Sequence, residues 1–172
     1  MSTPHPRWIQ SLVLSVLLFA AMAADASAGP RPAPWSVIRS AMHRTYELGP
    51  GADPGFGSVG RRTVVSDGRG GSLTAIVGLR RPSADGKGQL VFFFHNRRFL
   101  GWDARRTSIA IYPPRAAGPR RFSIRYVHYA RNDALCCPSL RPVTIRYRWT
   151  GSRIVGSRRP PNLGSRVRLR RS

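Results

Sequence analysis

From Arg62 onward the chain is divided into short β-branched and aromatic runs by residue pairs that favour turns, and the gaps between runs are too short for the crossovers that parallel strands require. The runs are Thr63 to Ser66, Leu73 to Leu79, Gln89 to His95, Arg98 to Trp102, Thr107 to Tyr112, Arg121 to Ala130, Val143 to Thr150 and Arg153 to Val155. Asp67-Gly68, Asp85-Gly86, Asn96-Arg97, Pro113-Pro114, Gly118-Pro119 and Gly151-Ser152 separate them, and each carries turn chemistry. One stretch has helical spacing instead. Trp35, Ile38, Ala41, Met42 and Tyr46 recur on one face between Trp35 and Leu48, with Ser36 placed to cap the start and Gly49 the end. The expected class is therefore α+β: an N-terminal helix packed on an antiparallel meander of five to seven strands. That strand number is compatible with an open sheet and with partial closure into a barrel.

Ahead of the helix, Arg7, the apolar run Leu12 to Ala24 and the small residues Ala26-Ser27-Ala28 read as an export signal spanning residues 1–28. Its apolar run of about 13 residues is shorter than the roughly 20 that a membrane-spanning helix needs. No cysteine lies near Ala28 to accept a lipid. Residues 29–34 form a Pro-rich spacer, 35–156 a single globular domain, and 157–172 a basic tail that reads as mobile because it is Pro-broken, charged and poor in apolar groups. The expected location is exported: periplasmic, cell-envelope or secreted, with no transmembrane helix in the mature chain.

The charge narrows the partners. Lys and Arg total 29 against 7 Asp and Glu, a net charge of +22, and every basic residue except Lys87 is arginine. Guanidinium groups suit phosphate and carboxylate partners, although coding bias in a GC-rich genome is an alternative source of the excess. Nonspecific adsorption to polyanions follows either way, weakening with salt. Val143, Ile145, Tyr147 and Trp149 alternate with Thr144, Arg146, Arg148 and Thr150. Phe122, Ile124, Tyr126 and His128 likewise alternate with Arg121, Ser123, Arg125 and Val127. If the two strands pair, Arg121, Arg125, Arg146 and Arg148 share one face, a candidate surface for anionic envelope glycans or lipid headgroups.

Catalytic chemistry is poorly supplied, and the sequence argues against an enzyme without excluding one. The few acids fall mostly in turns, Asp67 and Asp85 among them, and the grouping Ser139, His128 and Asp133 has no spacing that makes it a nucleophilic triad. Gly68-Arg69-Gly70-Gly71 opens no helix and is a hairpin connection rather than a phosphate loop. No cofactor is implied. Cys136 and Cys137 are adjacent, so they form a vicinal disulfide, remain free thiols, or pair between chains. A vicinal bridge is strained, because disulfides normally hold their Cα atoms further apart than chain neighbours. With His95 and His128 they could supply four metal ligands, but adjacent cysteines lack the spacing of a zinc site, and no metal is expected. His128, on the apolar side of its strand, reads as a core histidine.

Val91 to Gly101 (VFFFHNRRFLG), Tyr126-Val127-His128-Tyr129, Asn132 to Ser139 (NDALCCPS) and Arg146 to Gly151 together resemble the LppP/LprE family of actinobacterial cell-envelope lipoproteins over roughly residues 35 to 156. The resemblance implies a small exported envelope domain with no established activity, whose family-like positions here are His95, Gly101, Tyr129, Asp133, Cys136, Cys137 and Pro138. The missing lipid-attachment cysteine departs from the pattern and favours a secreted or periplasmic form. Two functions follow as expectations. The first is a non-enzymatic binding or structural module with a cationic face. The second is a thiol/disulfide redox-sensitive protein using Cys136 and Cys137.

Overall fold

The computed structural model describes residues 31–48, 55–161 and 163–170. The residues read as an export signal (1–28), Gly29 and Pro30 of the spacer, and the helix stop expected at Gly49 lie outside them. Among the described residues one helix, α1 (Trp35–Arg44), precedes eleven strands: β1 (Thr45–Glu47), β2 (Phe56–Ser66), β3 (Ser72–Arg80), β4 (Gln89–His95), β5 (Arg98–Trp102), β6 (Arg106–Ser108), β7 (Arg115–Ala116), β8 (Arg121–His128), β9 (Leu140–Trp149), β10 (Ile154–Gly156) and β11 (Leu163–Leu169). The expected helix on antiparallel strands is present, but the strands form two sheets that are not closed into a barrel. The larger sheet runs β1-β11-β6-β4-β3-β2 with β5 also paired to β4, and the smaller runs β10-β9-β8-β7.

The central strands explain the three-layer arrangement. Leu90-Val91-Phe92-Phe93-Phe94 is apolar without interruption because β4 is buried on both faces. Val91 and Phe93 point into a core shared with Leu73, Ala75 and Val77 of β3 and with Phe122, Ile124, Ile145, Tyr147 and Trp149 of the smaller sheet. Leu90, Phe92 and Phe94 point the other way, against Ile38, Ala41 and Met42 of α1 and Phe56 of β2. Gly78 of β3 serves the second layer. A Cβ there would lie 2.5 Å from the Phe92 ring, so only glycine lets that ring lie flat on the sheet.

Several boundaries differ from the sequence reading. The helix ends at Arg44, and Tyr46 belongs to β1. Ser36 does not cap it; Pro34 occupies the N-cap, with no side-chain cap bond. Trp35 is exposed, with Arg62 stacked over its ring at 4.9 Å. β2 begins at Phe56, ahead of the run read from Thr63, because its first half, rich in glycine and arginine, shows no apolar alternation. The larger difference is at the C-terminus. Leu163–Leu169, placed in a basic tail outside the domain, is a strand between β1 and β6. Its arginines hid it, since among its described side chains only Val167 is buried, and a strand with one face in water needs few apolar groups when its neighbours supply the ladder.

Candidate functional site

Pairing of β8 with β9 is antiparallel and in the register that the alternation implies: Arg121 opposite Arg148, Ser123 opposite Arg146, and Arg125 opposite Thr144. Arg121, Arg125, Arg146 and Arg148 all lie exposed on the outer face, while Phe122, Ile124, Ile145 and Tyr147 fill the inner one. β7 extends this face with Arg115 opposite Ser123. Arg125 stacks over the Tyr112 ring at 4.2 Å, which orients its guanidinium without neutralising it. The ion pairs among the described residues are Arg80 with Glu47, Lys87 with Asp85, and His95 with Asp67, so none involves the four arginines. Like charges directly opposite across strands repel, and here no acid offsets them.

The loop joining β8 to β9 carries the cysteines. Cys136 and Cys137 lie at disulfide distance, and both are exposed. Asp133 closes the loop: its Oδ2 accepts the Ala130 N–H at 2.6 Å and the Ser139 N–H at 2.8 Å. Those bonds, the Ser139 hydroxyl and the charge of nearby His128 hold the Asp133 carboxyl below the ordinary carboxylate range. Tyr129 donates its hydroxyl to the Leu135 carbonyl at 2.9 Å, and the Cys137 N–H donates to Ala134 O at 2.9 Å. Pro138 is exposed beside them. Asp133 meets Ser139 through the serine's backbone N–H, and among the described residues no hydrogen bond joins the His128 ring to either, so no imidazole is aligned on the hydroxyl as a base. His128 is half-buried rather than a core residue, because a register irregularity between Tyr126 and His128 lifts it off the inner face.

His95 and Gly101 frame the β4–β5 hairpin. Asn96 turns it at φ 52°, and its Oδ1 accepts the Ser72 N–H at 2.8 Å. Gly101, opposite Phe93, adopts φ 128° beside a bulge, a conformation that favours glycine. His95 continues the inner face of β4, stacks on Trp149 with centroids 5.0 Å apart, and hydrogen-bonds Asp67 Oδ2 through Nε2 at 2.7 Å. Asp67 also accepts the Arg69 and Gly71 N–H groups, and the His95 bond is the main influence holding its carboxyl below the usual range. Asp67 is thus a turn former, as expected, and also a clamp on His95. Among the described residues no three His, Cys, Asp or Glu side chains form a metal-ligand group, and His95 is separately engaged from the cysteine loop.

A polar group that the sequence did not reveal joins the two sheets. The Tyr126 hydroxyl donates to Asp103 Oδ2 at 2.8 Å and lies 2.8 Å from the Tyr147 hydroxyl, while Asp103 Oδ1 accepts the Val91 N–H at 2.8 Å. Desolvation pushes the Asp103 carboxyl up to about 7. Both tyrosines are raised as well, again chiefly by burial. Aromatic alternation in β8 and β9 flagged the tyrosines as core; nothing local tied Asp103 to them.

Residues 69–152, from the β2–β3 turn to the turn after β9, match the model of the LppP/LprE lipoproteins. Over that stretch the chain is similar to the LppP/LprE lipoproteins. The match is narrower than the span from residue 35 to 156 over which the resemblance ran, and it contains His95, Gly101, Tyr129, Asp133, Cys136, Cys137 and Pro138 together with the arginine face. No curated protein and no solved structure matches. That similarity implies association with the cell envelope. Among the described residues no helix is long and apolar enough to cross a membrane.

Proposed function

We propose that this LppP/LprE-like chain is an exported, non-enzymatic binding or structural module that presents the arginine face of β8 and β9 to anionic envelope components, either glycans or lipid headgroups. The observation that carries the reading is the cross-strand opposition of Arg121 and Arg148, with Arg125 and Arg146 on the same exposed face and no acid ion-paired to any of them. Each opposition of like charge costs about 0.2–1 kcal/mol relative to a neutral pair, a cost that a bound anion removes. Guanidinium forks on a flat sheet suit phosphate, sulfate and carboxylate groups.

Changing Arg121, Arg125, Arg146 and Arg148 to Glu tests the reading. Truncation at Arg158 is not a neutral comparison, since it would remove β11 from the larger sheet. The matched control is Arg69, Arg97, Arg158 and Arg159 to Glu, four exposed residues of equal charge elsewhere on the chain. Binding to phosphatidylglycerol vesicles and to an immobilised anionic glycan is expected to fall at least tenfold for the face variant and under threefold for the control. Equal losses would leave only nonspecific electrostatics.

The second reading, redox sensitivity at Cys136 and Cys137, draws support from their exposure on a loop that Asp133 ties independently. Opening the bridge with a dithiol would then leave the loop ends in place. Amide exchange at Ala130 and Ser139 is expected to speed up in Asp133→Ala and to stay unchanged in the Cys136→Ser, Cys137→Ser double variant. Faster exchange in the cysteine variant would make the bridge a structural clip.

A further inference from the structure

A groove of about 1140 Å³ lies between the end of β5 and the β1–β11 pair, on the larger sheet and away from the arginine face. Arg105, Arg106, Arg166, Arg168 and Arg170 line it, and no acid does. Arg166 is directly opposite Arg106 in the register, so like charge is again placed against like charge. Neither of these arginines, nor Arg105 or Arg168, takes part in an ion pair among the described residues. Arg170 stacks over the Tyr46 ring at 5.5 Å.

The remainder of the lining is apolar and firmly built. Trp102 is held by its Nε1–H donating to Thr45 Oγ1 at 3.2 Å, and that hydroxyl in turn donates to Ala41 O at 2.8 Å in the last turns of α1. The Phe99 ring backs Trp102 at 5.8 Å. Two large apolar side chains that the fold leaves exposed, Leu48 at 37% and Leu169 at 38%, meet at the same groove. Concave sites for organic ligands combine apolar lining with a few convergent polar groups and commonly enclose about 300–1,000 Å³. An inorganic anion would use the arginines and leave the indole and leucines wet, while a neutral apolar ligand would leave the guanidinium cluster uncompensated.

We infer that this groove binds one anionic phospholipid, its phosphate headgroup on the arginines of β6 and β11 and its acyl chain against Trp102, Leu48 and Leu169. Guanidinium groups pair with phosphate through parallel N–H donors, and an indole with one polar bond suits the boundary between headgroup and chain. This assignment stands apart from the arginine face of β8 and β9, which offers no comparable apolar lining.

The test uses the full chain with vesicles of phosphatidylglycerol carrying brominated acyl chains, and with matched phosphatidylcholine vesicles. Bromine is expected to quench tryptophan fluorescence with phosphatidylglycerol only, and most of that quenching is expected to disappear in Trp102→Phe. Arg166→Gln with Arg168→Gln is expected to weaken phosphatidylglycerol binding at least tenfold by cosedimentation, with an unchanged circular dichroism spectrum and Tm. Binding without quenching would show a headgroup-only surface and overturn the proposal. So would quenching that persists in Trp102→Phe, or affinity within twofold of the parent in the arginine pair. Loss of binding in the β8–β9 face variant with the groove variant unaffected would assign lipid contact to that face alone.

Discussion

Phe93→Ala is expected to destabilise the fold by about 3–5 kcal/mol, a large part of the roughly 5–15 kcal/mol that holds a domain together. Phe93 is 1% exposed at the centre of β4, and its ring meets Phe122 at 5.9 Å and Tyr147 at 5.2 Å in the facing sheet. Removing it leaves a cavity between two sheets whose backbones are fixed by their ladders, so little collapse can fill it. Urea unfolding of the variant should show a lower midpoint with a similar slope. Phe93→Leu should cost much less, because it retains most of the volume. If Phe93→Ala cost under 1 kcal/mol, the two sheets would not share the core described above.

Asp103→Asn is expected to change how stability depends on pH. The carboxyl has a pKa of about 7 in the fold against 3.8 ordinarily, because desolvation penalises its charge. A folded pKa raised above the unfolded one means that the protonated form is favoured by folding. The associated stability is fully present below about pH 4 and is lost as pH rises through 7, on the order of a few kcal/mol across the interval. Asparagine reproduces the protonated group: its oxygen can accept the Val91 N–H, and its amide can donate to the Tyr126 hydroxyl, which then donates to Tyr147. Thermal melts from pH 5 to pH 8 should show Tm falling in the parent and nearly flat in the variant. Parallel curves would mean that Asp103 is ionised throughout at little cost.

The envelope reading rests on a different class of residue. The arginine face was legible because a strand with one wet face alternates with period two, and two strands joined by one connection pair antiparallel. Arg121, Arg125, Arg146 and Arg148 therefore fall on one surface by alternation alone, and the register agrees. The groove was not legible. Trp102, Tyr46 and Arg166 are far apart in the chain, and they meet because β11 inserts between β1 and β6.

What the sequence alone determined is local. Turn pairs such as Asn96-Arg97 set the hairpin between β4 and β5, alternation set which side of β8 and β9 is wet, and adjacency excluded an ordinary long-range disulfide for Cys136 and Cys137. Tertiary structure decided everything that depends on which strand edges meet. It divided the strands into two sheets, drew Leu163–Leu169 into the larger one, clamped His95 to Asp67, and set Asp103 against Tyr126 and Tyr147. The physical reason is that turn and period signals act over a few residues. Edge pairing and sheet stacking are instead selected by the total apolar area buried and the backbone hydrogen bonds satisfied across the whole chain, and an arginine-rich strand such as β11 gains its place from its neighbours rather than from its own side chains.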